Sequence, residues 1–258
     1  MSLHQPIQAA NPVRVVLVGG IDPGTGAGLA RDLLTASALG ARATLIGTAW
    51  TEQQRVFAVE PREPEQVRAS LARALERAGR TAVKIGMVAT GDIARGVETG
   101  LGSFAGPVVY DPVGRASSGG ALYDGDRESV LRLARRATLL TPNLTEAAWL
   151  LERPVETAAQ ARAAARALQG LGIPAVLVKG GHLEDEAADV LVSAAGESVL
   201  VAPRWGGASP RGTGCALATA IAVHLAAGET LERAVVAAKA WLSERIARAT
   251  AVDDERHL

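Results

Sequence analysis

Cysteine occurs once, at Cys215, so no disulfide can form within the chain, which fits a reducing compartment. Lysine is nearly as scarce. It stands only at Lys84, Lys179 and Lys239, and the remaining 24 of the 27 cations are arginine. Aromatic residues make up 3% of the sequence, too few for an extended base-stacking surface. The 27 cations are matched by 27 acidic residues, and a net charge of zero gives no electrostatic reason to bind nucleic acid or an anionic membrane. No apolar run reaches the roughly 18 residues that a bilayer span needs. Residues 1–11 lack the basic start and apolar centre of a secretory leader. A cytoplasmic protein that handles small molecules is the expectation these absences leave.

What is present is a chain of 258 residues, 48% hydrophobic and 21% charged, close to an average globular composition. That length suits one large α/β domain better than two ordinary ones. The expected organisation is a flexible segment over residues 1–12 and a single domain over 13–258, with no linker or repeat inside it. Short apolar runs at residues 13–18, 44–48, 82–88, 107–111, 138–140 and 175–179 read as strands. Helical patterns between them include 27–39, 65–80 and the Ala/Arg-rich stretch 158–171. Residues 190–192 and 198–202 read as a hairpin, and two helices, 213–227 and 230–250, finish the chain. This alternation predicts a three-layer α/β/α architecture with a mostly parallel central sheet. Ligands of such sheets bind beyond the carboxyl ends of the strands, so the loops there are the candidate site.

The first of those loops is Gly19-Gly20-Ile21-Asp22-Pro23-Gly24-Thr25-Gly26-Ala27-Gly28. Its glycines allow close backbone approach to a ligand, although it is neither a Walker A loop nor a dinucleotide fingerprint. Arg211-Gly212-Thr213-Gly214-Cys215 precedes an apolar helix and aims free N–H groups and the positive helix end at one point, a geometry that stabilises an anion such as a transferring phosphoryl group. The same field is expected to draw Cys215 towards thiolate; the plainer alternative makes Thr213 a helix cap and Cys215 a core residue. Lys179, followed by Gly180-Gly181-His182, can reach a phosphate as a point charge. Asn143 and Glu146 have the spacing of a capping box, the plainest role for them; the same pair could instead face the crevice and hold hydrated Mg²⁺. Asp111 is a further strand-end carboxylate.

Taken in order, these segments resemble the hydroxymethylpyrimidine/phosphomethylpyrimidine kinases of thiamine biosynthesis, members of the ribokinase-like superfamily. The resemblance runs from about Val13 to Ala249. It rests on Asp22-Pro23 with Gly26-Ala27-Gly28 and Asp32, on Val83-Lys84-Ile85-Gly86-Met87, on Asp111-Pro112-Val113, on Thr141-Pro142-Asn143-Leu144, on Val178-Lys179-Gly180-Gly181-His182 and on Gly212-Thr213-Gly214-Cys215. It implies a ribokinase-like fold, ATP and Mg²⁺ as cofactors, and γ-phosphoryl transfer to an aminopyrimidine alcohol and then to its monophosphate. It also implies that Gly20, Asp22, Ala27, Gln53, Met87 and Val113 bind the pyrimidine. Asp111, Asn143, Glu146, Lys179 and Arg211 then serve the nucleotide, with Glu146 and, through water, Asp111 on the metal. Gly212, Thr213, Gly214 and Cys215 perform the chemistry, and a homodimer is implied. The chain departs from the family at Pro210-Arg211, where Thr-His is usual, and in the loop Thr51-Glu52-Gln53-Gln54-Arg55. A pyridoxal or pyridoxine kinase and a catalytically weakened pyrimidine-binding protein are the competing readings.

Overall fold

Period-two alternation of aliphatic residues organises the first strand, β1 (Arg14–Ile21). Val16 and Val18 join the core on one face of the sheet, Val15 and Leu17 the core on the other, and all four are buried. A strand covered on both faces belongs in a sheet with helices on both sides. The computed structural model describes residues 13–23, 26–52, 57–76, 79–116, 119–180, 188–201, 210–252 and 255–257.

After β1 come α1 (Gly28–Ala38), β2 (Arg42–Glu52), β3 (Ala58–Pro61), α2 (Pro64–Leu75), β4 (Thr81–Ile85), α3 (Gly91–Leu101) and β5 (Val108–Tyr110). The chain continues through α4 (Arg127–Ala134), β6 (Leu139–Leu140), α5 (Leu144–Leu151), α6 (Ala158–Gly170), β7 (Val176–Val178), β8 (Ala188–Ser193) and β9 (Gly196–Val201). It closes with α7 (Thr213–Ala226), α8 (Leu231–Arg248) and a hairpin of β10 (Thr250–Val252) and β11 (Glu255–His257). Among the described residues, nine strands form one sheet in the order β3-β2-β1-β4-β5-β6-β7-β8-β9. The run from β2 to β7 is parallel, whereas β3, β8 and β9 attach antiparallel. Apolar residues of α2 to α6 pack on one face, those of α1, α7 and α8 on the other. The expected three-layer α/β/α fold is therefore observed. No helix among the described residues is long and apolar enough to cross a membrane.

Several boundaries differ from the sequence expectation. β2 runs to both sides of residues 44–48 because pairing with β1 and β3 extends it into charged positions. β3 was not expected: it is a half-exposed edge strand ending in proline, with no apolar alternation. α2 stops at Leu75 and does not reach residue 80, and the last helix gives way to β10 at Thr250. The hairpin of β8 and β9 turns on Ala194-Ala195 as expected. Trp241 is buried, while Trp149 is 40% exposed and meets Tyr123 edge-on at 5.9 Å.

α7 is apolar all round, and every residue from Ala216 to Ala226 is buried, as expected of a helix wedged between sheet and surface layer. Its small side chains let it lie close to the strands. Two polar residues, Thr219 and His224, are buried among them; the Thr219 hydroxyl donates to Asp32 Oδ1 at 2.8 Å while Lys84 Nζ donates to Asp32 Oδ2 at 2.7 Å. The Lys84 and Asp32 side chains are 1% and 0% exposed. Burial opposes the Lys84 charge, yet Asp32 and the more distant Cys215 and Asp111 hold its pKa above the ordinary value. This buried pair ties α1, β4 and α7 together under the site. Lys84→Met leaves the Asp32 charge uncompensated and is expected to cost about 3–5 kcal/mol in urea unfolding. The double variant Lys84→Met/Asp32→Leu should recover most of that loss; a single variant as stable as wild type would contradict the assignment.

Candidate active site

Three neighbouring strands deliver polar residues to one edge of the sheet. β5 leads into Asp111, β6 into Thr141-Pro142-Asn143, and β7 into Lys179. Lys179 Nζ donates to Asp111 Oδ1 at 2.6 Å, and Thr141 Oγ1 donates to the same oxygen at 3.2 Å. The Lys179 amide donates to the Pro142 carbonyl at 2.8 Å and Lys179 pairs with Asn143 in an isolated parallel bridge. Asn143 and Glu146 form the capping box of α5: each side chain accepts from the other's backbone N–H at 2.8 Å. That cap does not remove Glu146 from the crevice. Burial pushes its carboxyl up to about 7, the Asp111 charge adds to the rise, and Lys179 and the Asn143 amide oppose it.

The first turn of α7 meets this group from the opposite layer. Its N-cap is Gly212, not Thr213, with φ at +78°, and a Cβ there would lie 2.4 Å from the Gly26 carbonyl oxygen. Only glycine accepts both conditions. A Cβ on Gly214 would stand 3.2 Å from Lys179 Nζ and 3.6 Å from Asp111 Oδ2, so the helix start and the ion pair are in contact. Among the described residues no side chain caps α7 at its N-cap, and the first N–H groups of a helix have no partner within it. Helix dipole, backbone donors and the Lys179 ammonium thus converge on a small volume, an arrangement suited to an anion with several oxygens.

Cys215 departs from its sequence expectation. It keeps some accessible surface, but burial pushes the thiol up to about 11; Lys84 lowers it, Asp32 and Asp111 raise it, and a hydrogen bond from the Gly28 amide lowers it. Desolvation and two carboxylates outweigh the helix field, so the group is a thiol, not a thiolate, at neutral pH.

The other half of the site comes from the first loop and β4. Gly28, with φ at +61°, sits where a Cβ would fall 2.5 Å from the Gly20 carbonyl oxygen. A Cβ on Gly20 would fall 2.7 Å from Met87 Sδ, and the Met87 carbonyl accepts from Thr48 Oγ1 at 2.7 Å. Ala27 is the N-cap of α1. Asp22 is 3% exposed and lies 3.8 Å from Arg211 Nη2. Val113 is half-buried beside Asp111, to whose carbonyl its amide donates at 2.8 Å. A hollow lined by Pro23, Trp50, Thr51 and Glu52 opens next to the loop. Gln53 and His182 lie outside the described residues, as does the segment 202–209.

Two groups received no role from the sequence. The Lys84–Asp32–Thr219 network joins residues 52 and 187 positions apart, a separation no local pattern reveals. Lysine scarcity was the available signal, for all three lysines end on an aspartate, Lys239 on Asp189 at 2.5 Å. Arg31 is the second group, 5% exposed at the rim of the helix start.

The phosphomethylpyrimidine kinase family model matches residues 22–257. A hydroxymethylpyrimidine/phosphomethylpyrimidine kinase of Streptomyces coelicolor is 38% identical over 245 residues, covering 93% of this chain and 91% of the relative. A thiamine biosynthesis bifunctional protein of Geobacter sulfurreducens is 35% identical over 90% of this chain, which spans 49% of that protein. Among solved structures, the phosphomethylpyrimidine kinase of Clostridium difficile superimposes with a TM-score of 0.78 at 30% identity, covering 91% of this chain and 99% of the other. A Staphylococcus aureus pyridoxal kinase in complex with ADP gives a TM-score of 0.86 at 26% identity, covering 96% and 93%.

The raised Cys215 thiol makes a direct prediction. Alkylation of the ligand-free protein by iodoacetamide should accelerate with pH up to a midpoint near 11. At pH 7 it should run about 300-fold slower than a free thiol, from the deficit in thiolate alone. A midpoint at or below that of free cysteine would contradict the assignment.

Proposed function

The chain belongs to the phosphomethylpyrimidine kinase family, and we propose that it phosphorylates 4-amino-5-hydroxymethyl-2-methylpyrimidine and then the resulting monophosphate, with ATP as donor, in thiamine biosynthesis. The observation that carries this reading is the contact of the α7 start with the Lys179–Asp111 pair, seen in the approach of Gly214 to both side chains. A transferring phosphoryl group carries its charge on equatorial oxygens and needs positioning and charge stabilisation more than covalent help. The N–H groups of Thr213, Gly214 and Cys215 would receive those oxygens, with Lys179 neutralising charge as the bond to ADP lengthens.

In a loose transition state the alcohol proton leaves late, so the hydroxymethyl group needs orientation more than a strong base. Cys215, as a thiol, orients that oxygen by hydrogen bonding, and the proton is shed to water as the ester forms. The pyrimidine lies between the loop of Gly20, Asp22 and Ala27 and the side chains of Met87 and Val113. Gln53 is positioned in sequence to pair with a ring nitrogen and its amine neighbour, since an amide both donates and accepts. Asn143 and Arg211 complete the nucleotide side.

Mg²⁺ fits the residues present. Among the described residues no group of three or more His, Cys, Asp or Glu could form a protein cage. Asp111 and Glu146 supply two carboxylates close enough for the Asp111 charge to raise Glu146. Two carboxylates with water and phosphate oxygens are the usual surroundings of this ion. When bound, Mg²⁺ neutralises charge on the nucleotide phosphates. A homodimer in the cytoplasm belongs to the same reading.

The likeness to pyridoxal kinases supports a second reading, since pyridoxal is also a flat heterocycle bearing a hydroxymethyl arm. Incubation with Mg-ATP and, separately, the hydroxymethylpyrimidine, its monophosphate and pyridoxal, with products identified by mass, separates the two. Phosphorylated pyrimidine products are expected, and product from pyridoxal alone would overturn the pyrimidine assignment. With the pyrimidine, Lys179→Ala should lower kcat by about 10²–10³-fold, the scale of losing one charge-stabilising donor.

A further inference from the structure

Lys179 is held at its tip by Asp111, and its backbone is held from two sides. Its own amide donates to the Pro142 carbonyl beyond the end of β6. The next amide, that of Gly180, donates to Asp189 Oδ1 at 3.0 Å. Asp189 Oδ2 accepts from Lys239 Nζ at 2.5 Å, and the two side chains are 8% and 13% exposed. Asp189 lies on β8 and Lys239 in the middle of α8. One carboxylate therefore ties the peptide after Lys179 to a helix of the surface layer.

The sheet explains this placement. β7 and β8 run antiparallel with Val178 opposite Val190, so Asp189 falls alongside the chain that leaves β7. Period-two alternation puts Asp189 on the same face as Leu191, which packs in the core that α7 and α8 cover. An aspartate in that apolar layer is costly without partners, and each of its oxygens has one. The link from this pair to the anion site runs through the Gly180 peptide.

A lysine ammonium rides on four methylenes, and its reach is set by where the Cα–Cβ bond points. The two peptides that flank Lys179 fix that direction. Resting on the kinase reading above, we infer that Asp189, charge-paired with Lys239, is a positioning residue for the transfer: through the Gly180 N–H it aims the Lys179 side chain at Asp111 and the α7 start. Lys179 acts most strongly on a group whose charge is spreading over its oxygens. A lysine aimed less well therefore costs turnover more than acceptor binding.

Lysine scarcity makes the test direct, since isotope-labelled lysine gives three side-chain Cε signals by NMR, one each for Lys84, Lys179 and Lys239. Lys179→Arg and Lys239→Arg assign them. Two double variants both remove the ion pair: Asp189→Asn/Lys239→Met keeps an oxygen for the Gly180 N–H, and Asp189→Ala/Lys239→Met does not. With Mg-ATP and the hydroxymethylpyrimidine, the alanine variant should lose about 10- to 100-fold in kcat with the acceptor KM unchanged, the scale of a misplaced group. Its Lys179 signal should move as well. The asparagine variant should stay within about threefold of wild type, with the Lys179 signal in place. If the alanine variant does not fold, Asp189→Val/Lys239→Met is read in its place. Equal kcat for the two variants, or a Lys179 signal that stays put in the alanine variant, overturns the positioning role and leaves the kinase reading standing. A wild type that phosphorylates neither the pyrimidines nor pyridoxal overturns the kinase reading, and the Lys179 signal then decides the positioning by itself.

Discussion

The buried pair of Lys84 and Asp32, 2.7 Å apart, is the interaction on which the site above it depends. Neither charge could stay in that place alone, because desolvating an unpaired ion costs several kcal/mol. Together, with the Thr219 hydroxyl satisfying the second carboxylate oxygen, they pin three elements of two layers. Cys215 and Thr219 lie one turn apart on α7, so what holds Thr219 also sets the depth of Cys215. The first turn of the helix is then fixed relative to the strand ends, where Lys179 and Asp111 form a second pair of the same kind.

Glycine does the complementary work at the surface of that frame. Gly212 and Gly28 adopt positive φ and bring backbone within van der Waals contact of the opposing loop, where any Cβ would collide with a carbonyl oxygen. The result is a helix start that no described side chain caps and that close backbone contacts hold in place. Donors held in place before an anion arrives are the form of electrostatic stabilisation that phosphoryl transfer uses best.

Much of this was legible in the sequence, for reasons that can be stated. Aliphatic alternation in β1 and the short apolar runs after it specify a doubly covered parallel sheet, and the sheet rule then directs attention to Asp111, Asn143, Lys179 and the glycine segments. β3 escaped because its order comes from pairing with β2, not from its own residues. The thiolate expectation for Cys215 failed for a different reason. Sequence reveals the helix start but not the burial, nor the two aspartates that nearby strands and α1 bring beside the sulfur. Asn143 and Glu146 form the capping box that their spacing suggested, the plainer of their two readings. The burial of Arg31 left no local signal, because it depends on the distant Gly212 turn that packs against it.

The central claim is that the α7 start and Lys179 form one anion site. A crystal structure with Mg²⁺, a non-hydrolysable ATP analogue and the hydroxymethylpyrimidine tests it most directly. The account predicts γ-phosphate oxygens within hydrogen-bond distance of the backbone N–H groups of residues 213–215 and of Lys179 Nζ, with the hydroxymethyl oxygen beside Cys215. A γ-phosphate bound elsewhere, with Lys179 still closed on Asp111 and no ligand atom at the helix start, would contradict it.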